Sequence, residues 1–290
     1  MTYQIKLFFS SLKDAFHLFL KNDPLRMSGA TAFFTLFALP PILIIIVQVF
    51  QLFIDPQTIR RELFENLSGM IGSETMRQVV NVIRAVRRLT YSGWATAALF
   101  IFLLFVATTL FRVIKSSINQ LWGIAAAAPG KKVMAGVRTR IKSLAVILLT
   151  GLLFTIGILS ETIQVLAGKY FFQLFPSLSS FFNGLFSFVV STLITALWFL
   201  FIFRYLADGK PAWRIAWSGA LLTAVLFAAG KNILHALLNY SSINTIYGAS
   251  ASAVLLLLFV FYSAMILYYG AAFTKCRADA VNCPIEPIML

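Results

Sequence analysis

Long runs without a charged residue are the feature that most restricts how this chain can fold. One of them extends from Met27 to Ile54 and contains 28 residues with no Asp, Glu, Lys or Arg. A helix of roughly 20 apolar residues is enough to cross a hydrocarbon layer of about 30 Å. Charged residues make up only 12% of the 290 residues, whereas soluble domains usually contain about 25%. The sequence therefore predicts a membrane protein.

The charge-free runs predict an all-α polytopic membrane protein, folded as a six-helix transmembrane bundle in a single domain, 1–290. Residues 1–22 place lysines among apolar residues at helical spacing, which predicts an N-terminal interfacial helix on the membrane surface. Residues 55–88 form a predicted outer insert of amphipathic helices after the first span. We place the six spans at about 27–54, 89–111, 143–166, 181–203, 215–238 and 248–273.

The fifth predicted span carries a stripe of small side chains. Alanine recurs there at every fourth position, and such stripes let two helix backbones approach closely. The pattern indicates packing within the chain more often than a dimer. The stripe consists of Ala216, Ala220, Ala224 and Ala228, beside Gly219.

Basic residues predict the orientation of the bundle. With the N-terminus inside, 16 of the 24 Lys and Arg residues fall on the inner side, mostly where spans end. Six of the eight exceptions belong to the outer insert. The positive-inside rule therefore favours a cytoplasmic N-terminus and a cytoplasmic C-terminus.

The first span contains two consecutive prolines, Pro40 and Pro41. Proline has no backbone N–H, so two carbonyls of the preceding turn lose their helical partners, and the helix tends to bend. In one interpretation the prolines only shape the helix, as membrane helices tolerate. In the other they interrupt the helix and line a substrate cavity.

Two charged residues lie deep inside predicted spans. Counted from the inner side at ~1.5 Å per residue, Glu161 and Lys231 reach a similar depth near the outer leaflet, and they could pair. The alternative is that each side chain extends separately toward the membrane surface. Pairing would form an outward-facing polar pocket for an anionic headgroup or a hydrophilic solute. The candidate pocket residues are Glu161, Gln164, Lys231, His235 and Asn239.

Other basic residues are candidates for contact with lipid headgroups. Arg77, Arg84, Arg87 and Arg88 belong to the outer insert, which is either a headgroup-binding surface or a solvated cap on the bundle. On the inner side, basic residues set the topology, and binding of anionic lipids is the second interpretation. The inner candidates are Arg112, Lys115 and Arg204.

The sequence argues against several classes of chemistry. Metal-dependent nucleases need clustered carboxylates or histidines, whereas the ten acidic residues here are scattered. There is no G-K-[ST] phosphate loop, and Cys276 and Cys283 have no histidine near them in sequence. The net charge of +14 is concentrated at span ends, which indicates membrane lipids rather than nucleic acid. We therefore predict no enzyme activity, no cofactor, no metal and no nucleic-acid partner.

Three passages together resemble the YihY/BrkB family of bacterial inner-membrane proteins. They are DPLRMSGATAFFTLFALPPILIII (23–46), NQLWG (119–123) and YGASASAVLLLLFVFYSAMILYYGAAF (247–273). Family members often have Tyr where this chain has Phe33 or Phe34, and a Trp in the last span that is absent here. The resemblance implies a helical, multi-pass protein of the bacterial inner membrane. The family was formerly labelled ribonuclease BN, and serum resistance and envelope lipid export are roles suggested for some members.

From these observations we predict a transporter or flippase-like exporter of an amphipathic or anionic envelope substrate, such as a lipid. Its partners would be membrane lipids with anionic headgroups. The alternative is a non-transporting scaffold that docks an envelope protein partner through residues 55–91. A hydrated central cavity would favour transport, and a close-packed core with apolar outer patches would favour docking.

Overall fold

The computed structural model describes residues 2–50, 80, 93–124, 179–240 and 251–287 of the chain, and these residues are mostly helical. Six α-helices and one small sheet are present in this part. A π-helical turn, Ile202–Leu206, continues the fourth helix. The helices are α1 (Thr2–Lys21), α2 (Pro24–Phe50), α3 (Gly93–Trp122), α4 (Ser179–Phe201), α5 (Trp213–Tyr240) and α6 (Ala251–Ala280), and the strands are β1 (Gly209–Lys210) and β2 (Glu286–Pro287).

Three segments within these ranges are long and apolar enough to cross a membrane. They are Phe188–Leu206, Trp213–Ile233 and Val254–Ala280. The prediction of a membrane protein built from α-helices is therefore supported. The predicted third span, 143–166, and the outer insert, 55–88, lie outside the described residues apart from residue 80, so the six-span arrangement stays a prediction.

The long helices meet at one end of the bundle, which we call the tied end. It is formed by the start of α2 and of α5 and by the last turns of α3, α4 and α6. Side-chain contacts join these helix ends, including Arg26 with Gln120 and Trp122 with Ala271. The assignment of these helix ends to the inner side of a membrane stays a prediction.

The N-terminal helix α1 packs against the last turns of α6. Ala15 and Phe19 are buried, and the Tyr269 hydroxyl donates a hydrogen bond to the Leu12 carbonyl over 3.1 Å. The Phe8 ring meets the Phe273 ring edge to face. One side of the helix is thus anchored to the bundle. The other side leaves three apolar side chains exposed, Phe9, Phe16 and Leu20, beside exposed Lys6 and Lys13, a combination typical of an interfacial helix.

The closest helix contact lies between α5 and α6, and it is reciprocal. A Cβ placed on Gly219 would overlap the hydroxyl of Thr274, and a Cβ placed on Gly270 would overlap the hydroxyl of Thr223. Each threonine lies four residues after a glycine on its own helix, and its hydroxyl bonds to that glycine's carbonyl, at 2.6 Å in α5 and 2.8 Å in α6. The two antiparallel helices therefore interlock through the same Gly-x-x-x-Thr pattern.

The predicted alanine stripe of α5 is buried at three of its four positions. Ala216, Ala220 and Ala224 have no exposed surface, and Ala228 is half-buried.

The helices also extend beyond the predicted spans. α3 continues from residue 111 to Trp122, and α6 continues from residue 273 to Ala280. Both extensions belong to the tied end, where helices contact one another beyond the apolar run.

The C-terminal residues fold back onto the tied end. After α6, Asn282 has a φ of 54°, and Cys283 N donates to the Ala278 carbonyl, which closes the helix with a left-handed residue. Ile285 is then buried, and β2 pairs antiparallel with β1 in the hairpin between α4 and α5. The sequence analysis did not predict this two-stranded sheet, because each strand is only two residues long.

We predict that Gly219→Ala destabilises the protein, because the added methyl group overlaps the Thr274 hydroxyl. Overpacking of this kind costs about 1–3 kcal/mol. Thermal unfolding in detergent would measure the loss. Removing the obstructing hydroxyl with Thr274→Ala in the same chain should recover most of it.

Gly29→Ala is the matched control, since a Cβ at Gly29 would meet nothing within 4 Å. This control should retain wild-type stability or exceed it slightly. Equal effects of the Gly219 and Gly29 substitutions would contradict the interlocked packing of α5 and α6.

Candidate functional site at the tied end

A buried amide and a carboxylate connect α3 to the hairpin that follows α4. The Asn119 Nδ2 donates to Asp208 Oδ2 over 2.8 Å, and the Asp208 backbone N–H donates to Asn119 Oδ1 over 3.0 Å. Both ends of the Asn119 amide are therefore bonded to one residue. Such two-point pairing fixes the position of the hairpin relative to α3.

Lys115 completes this group one turn earlier on α3. Its ammonium lies 2.8 Å from Asp208 Oδ1, and the two side chains are only 14% and 22% exposed. Removing one partner of a mostly buried ion pair destabilises the folded protein, because the other charge is left without its partner. Asp208 thus contacts two residues in the last turns of α3, Lys115 and Asn119.

The π-helical turn before this hairpin carries Arg204. Its guanidinium donates to the Pro211 carbonyl and lies 5.2 Å from the centre of the Trp213 ring. These contacts close the hairpin between α4 and α5. Wide π turns occur frequently at functional sites, where they shift a side chain out of the regular helical register.

Trp122 and Gly123 end α3 and connect it to α6 and to the hairpin. The indole N–H donates to the Ala271 carbonyl over 2.9 Å. Gly123 has a φ of 68°, and Ile124 N donates to the Asn119 carbonyl, which is the usual geometry for closing a helix with glycine. Gly209 packs against this indole so closely that an added Cβ would come within 2.7 Å of a Trp122 ring carbon.

The beginning of α2 meets the same turn of α3. Asp23 has a φ of 53°, and Pro24 then starts the helix at a position that suits proline. Arg26 Nη2 donates to Gln120 Oε1 over 3.2 Å, and Gln120 Nε2 donates to Asn22 Oδ1 over 3.4 Å. The first and second passages that carry the family resemblance are therefore in direct contact.

Deeper in the bundle, hydroxyl groups connect α2 with α6. Thr31 Oγ1 lies 2.6 Å from the Tyr268 hydroxyl and also donates to the Met27 carbonyl. The nearby Ser28 hydroxyl is fully buried and has no hydrogen-bond partner among the described residues. The Thr31–Tyr268 contact joins the first of the three passages that resemble the family to the third.

The predicted site residues lie in different places. Glu161, Gln164, Arg77, Arg84, Arg87 and Arg88 lie outside the described residues. The range of α2 includes Pro40 and Pro41, and the range of α5 includes His235 and Asn239, in each case with the backbone alone described. The polar pocket and the proline-lined cavity therefore stay predictions.

Four predicted basic residues have described side chains. Lys231 is half-buried on α5, and Arg112 is exposed on α3. Lys115 and Arg204 both have partners within the chain, Asp208 for the former and Pro211 for the latter. Their predicted contact with lipid headgroups has no support from these positions and stays a prediction.

The sequence analysis did not single out Asn119, Asp208 or Tyr268 as site residues. Asn119 and Tyr268 were visible only as members of two passages that resemble the family. Asp208 is one of ten acidic residues, and it comes just after an apolar run. An acidic residue at the end of a span, among basic residues, is the signal that could have indicated an ion pair with the end of another helix.

Comparison with known protein families gives a match over most of the chain. A family model described as "Virulence factor BrkB" matches residues 15–282. The chain belongs to the BrkB family. This confirms the resemblance found in the sequence and places every residue of the tied end up to Asn282 within the family match.

Relatives of this family member are named UPF0761 membrane proteins. The one from Saccharophagus degradans is 26% identical over 269 residues, which cover 90% of this chain and 58% of the relative. The one from Psychromonas ingrahamii is 24% identical over 254 residues, with 85% and 80% covered. The one from Mannheimia succiniciproducens is 26% identical over 289 residues, with 95% and 91% covered. No solved structure matches the chain.

We predict that Asp208→Ala destabilises the protein by about 1–3 kcal/mol, because Lys115 and Asn119 lose a partner in a mostly buried place. Lys115→Met alone should also be destabilising. The double variant should lose less than the sum of the two single losses, since no unpaired charge remains. Thermal unfolding of all four proteins in detergent gives the coupling energy. Strictly additive losses would contradict a direct Lys115–Asp208 interaction.

Proposed function

We propose that this BrkB-family membrane protein is a transporter or flippase-like exporter, and that its substrate is an amphipathic or anionic envelope molecule such as a lipid. We place it in the bacterial inner membrane with both termini in the cytoplasm, as the distribution of basic residues predicts. We propose that it is not an enzyme. The observation that carries the proposal is the position of Lys231 on α5.

Lys231 lies within the membrane-crossing segment Trp213–Ile233, about 27 Å along the helix from Trp213. Its side chain is half-buried. The preceding residue, Gly230, faces α6 so closely that a Cβ would come within 2.9 Å of the Tyr262 ring. A lysine at such a position is expensive in an apolar helix, and charges of this kind usually mark a substrate or ion path.

The contacts at the tied end support the interpretation that the bundle is closed on its inner side. Asn119, Lys115 and Asp208 join α3 to the α4–α5 hairpin, and Trp122 joins α3 to α6. In an alternating-access mechanism, a protein closed at one end admits substrate from the other. Lys231 lies far from the tied end, so it is placed to attract an anionic group from the outer side. Release toward the tied end would require these contacts to separate.

The remaining predicted pocket residues fit this proposal. Glu161, Gln164, His235 and Asn239 would complete a polar surface around Lys231. Glu161 and His235 could take up and release protons, which would couple transport to a proton gradient. Because the chain has no nucleotide-binding loop, an ion gradient or a downhill path would supply the driving force.

Leaflet exchange in reconstituted vesicles tests the proposal. Vesicles containing fluorescent phosphatidylglycerol would be treated with dithionite, which reduces only the label in the outer leaflet. The wild-type protein should expose inner-leaflet label to reduction, with or without an imposed pH gradient. Lys231→Met should slow exchange by about 10- to 100-fold, as expected when a charged contact worth about 1.5–3 kcal/mol is lost.

Lys210→Gln removes a charge from the exposed hairpin strand and should leave the exchange rate unchanged. Lys231→Arg should retain part of the activity because it keeps the charge. Exchange no faster than in protein-free vesicles, with folded wild-type protein and under either condition, would contradict transport of this lipid class. That result would favour the scaffold that docks an envelope partner through residues 55–91.

A further inference from the structure

The exposed face of α2 carries a cation near the tied end. Arg26 is 63% exposed, and Gln120 accepts a hydrogen bond from its Nη2. The Arg26 Nε lies 3.9 Å from Asp23 Oδ2, but both of these side chains are exposed, so this pair contributes little. A guanidinium has five N–H donors in a planar fork that matches phosphate oxygens. Gln120 thus holds Arg26 in place while donors remain for a ligand.

Small residues follow one turn deeper on the same helix. Gly29 and Ala30 lie three and four residues after Arg26, so they share its face. A Cβ on Gly29 would meet nothing within 4 Å. The helix surface is therefore open and shallow here, next to the polar end. A flexible hydrocarbon chain could lie directly against the backbone at this point.

Two aromatic rings continue the face. Phe33 and Phe37 follow Arg26 by seven and eleven residues, which keeps them on one side of the helix. They are 55% and 50% exposed, and their ring centres are 5.1 Å apart. At ~1.5 Å per residue, Phe37 lies about 16 Å from Arg26 along the axis. That distance equals about half of a hydrocarbon layer of ~30 Å, the depth of one leaflet.

We propose that the α2 face formed by Arg26, Gly29, Phe33 and Phe37 binds one anionic phospholipid of the leaflet next to the tied end. The phosphate binds the Arg26 guanidinium, which Gln120 positions. One acyl chain lies against Gly29 and then contacts the rings of Phe33 and Phe37. The site is separate from Lys231, which lies on α5, and it does not depend on whether the protein transports lipid.

Charge and shape together select this ligand. A soluble phosphate compound would use Arg26 but would leave the two exposed rings uncovered. A zwitterionic phospholipid offers the same acyl chains, but its positive group opposes Arg26. A basic residue that contacts the headgroup directly favours an anionic lipid by about fivefold, so Arg26 should give a preference of this size.

Native mass spectrometry of the full chain in detergent tests this site. Equal amounts of phosphatidylglycerol and phosphatidylcholine would be added to the wild-type protein and to two variants. Arg26→Gln should lower retained phosphatidylglycerol about fivefold with little effect on phosphatidylcholine. Gly29→Leu fills the open surface, so it should lower retention of both lipids. Lys210→Gln, an equal change of charge at the exposed hairpin, should bind like the wild type.

Thermal unfolding of each variant checks that its fold is retained, and Gly29→Leu tests the site without changing any charge. Two results would overturn the proposal. One is wild-type retention of phosphatidylglycerol no better than that of phosphatidylcholine. The other is an equal loss in Arg26→Gln and Lys210→Gln, which would show a diffuse effect of surface charge. Because retention requires no transport, neither result bears on the leaflet-exchange experiment.

Discussion

The absence of water from the hydrocarbon layer is the constraint on which this structure depends. Every polar group in a membrane helix must find its partner within the protein. Many hydroxyls of the described helices meet that demand inside their own helix, by donating to a carbonyl three or four residues earlier. Examples are Thr35, Thr109, Thr195, Ser218 and Ser263. The helices can therefore carry polar residues through the bundle without needing a partner on a neighbouring helix.

Contacts between helices then fall into two groups. Within the bundle, close packing joins α5 to α6 at the reciprocal Gly219–Thr274 and Thr223–Gly270 positions, and a buried hydroxyl pair joins α2 to α6. At the tied end, side chains reach between elements, and Asp208 accepts from both Asn119 and Lys115. The glycine–threonine contact is buried, whereas the Lys115 and Asp208 side chains keep 14% and 22% of their surface exposed. Under the proposed function, the tied end is therefore the part of the described bundle that would open and close.

The sequence predicts much of the helical architecture, because long apolar runs and a regular alanine spacing are local features. The predicted first span begins at residue 27, whereas α2 begins three residues earlier at Pro24, a position that suits proline. The sequence does not predict the pairing of Asn119 with Asp208, which are 89 positions apart, or the folding of Ile285 onto the hairpin. Those contacts depend on how helix ends meet in space. The two-residue strands are too short to leave a pattern in the sequence.

If the protein transports a lipid as proposed, the tied end must open for the substrate to cross. A chain with Cys276 and Cys283 replaced by serine, and with Asn119→Cys and Asp208→Cys, allows that end to be locked by a disulfide. Leaflet exchange would be measured in vesicles before oxidation, after oxidation and after reduction of the same sample. The account predicts that oxidation stops exchange and that reduction restores it. Exchange that continues at the same rate in fully cross-linked protein would contradict it.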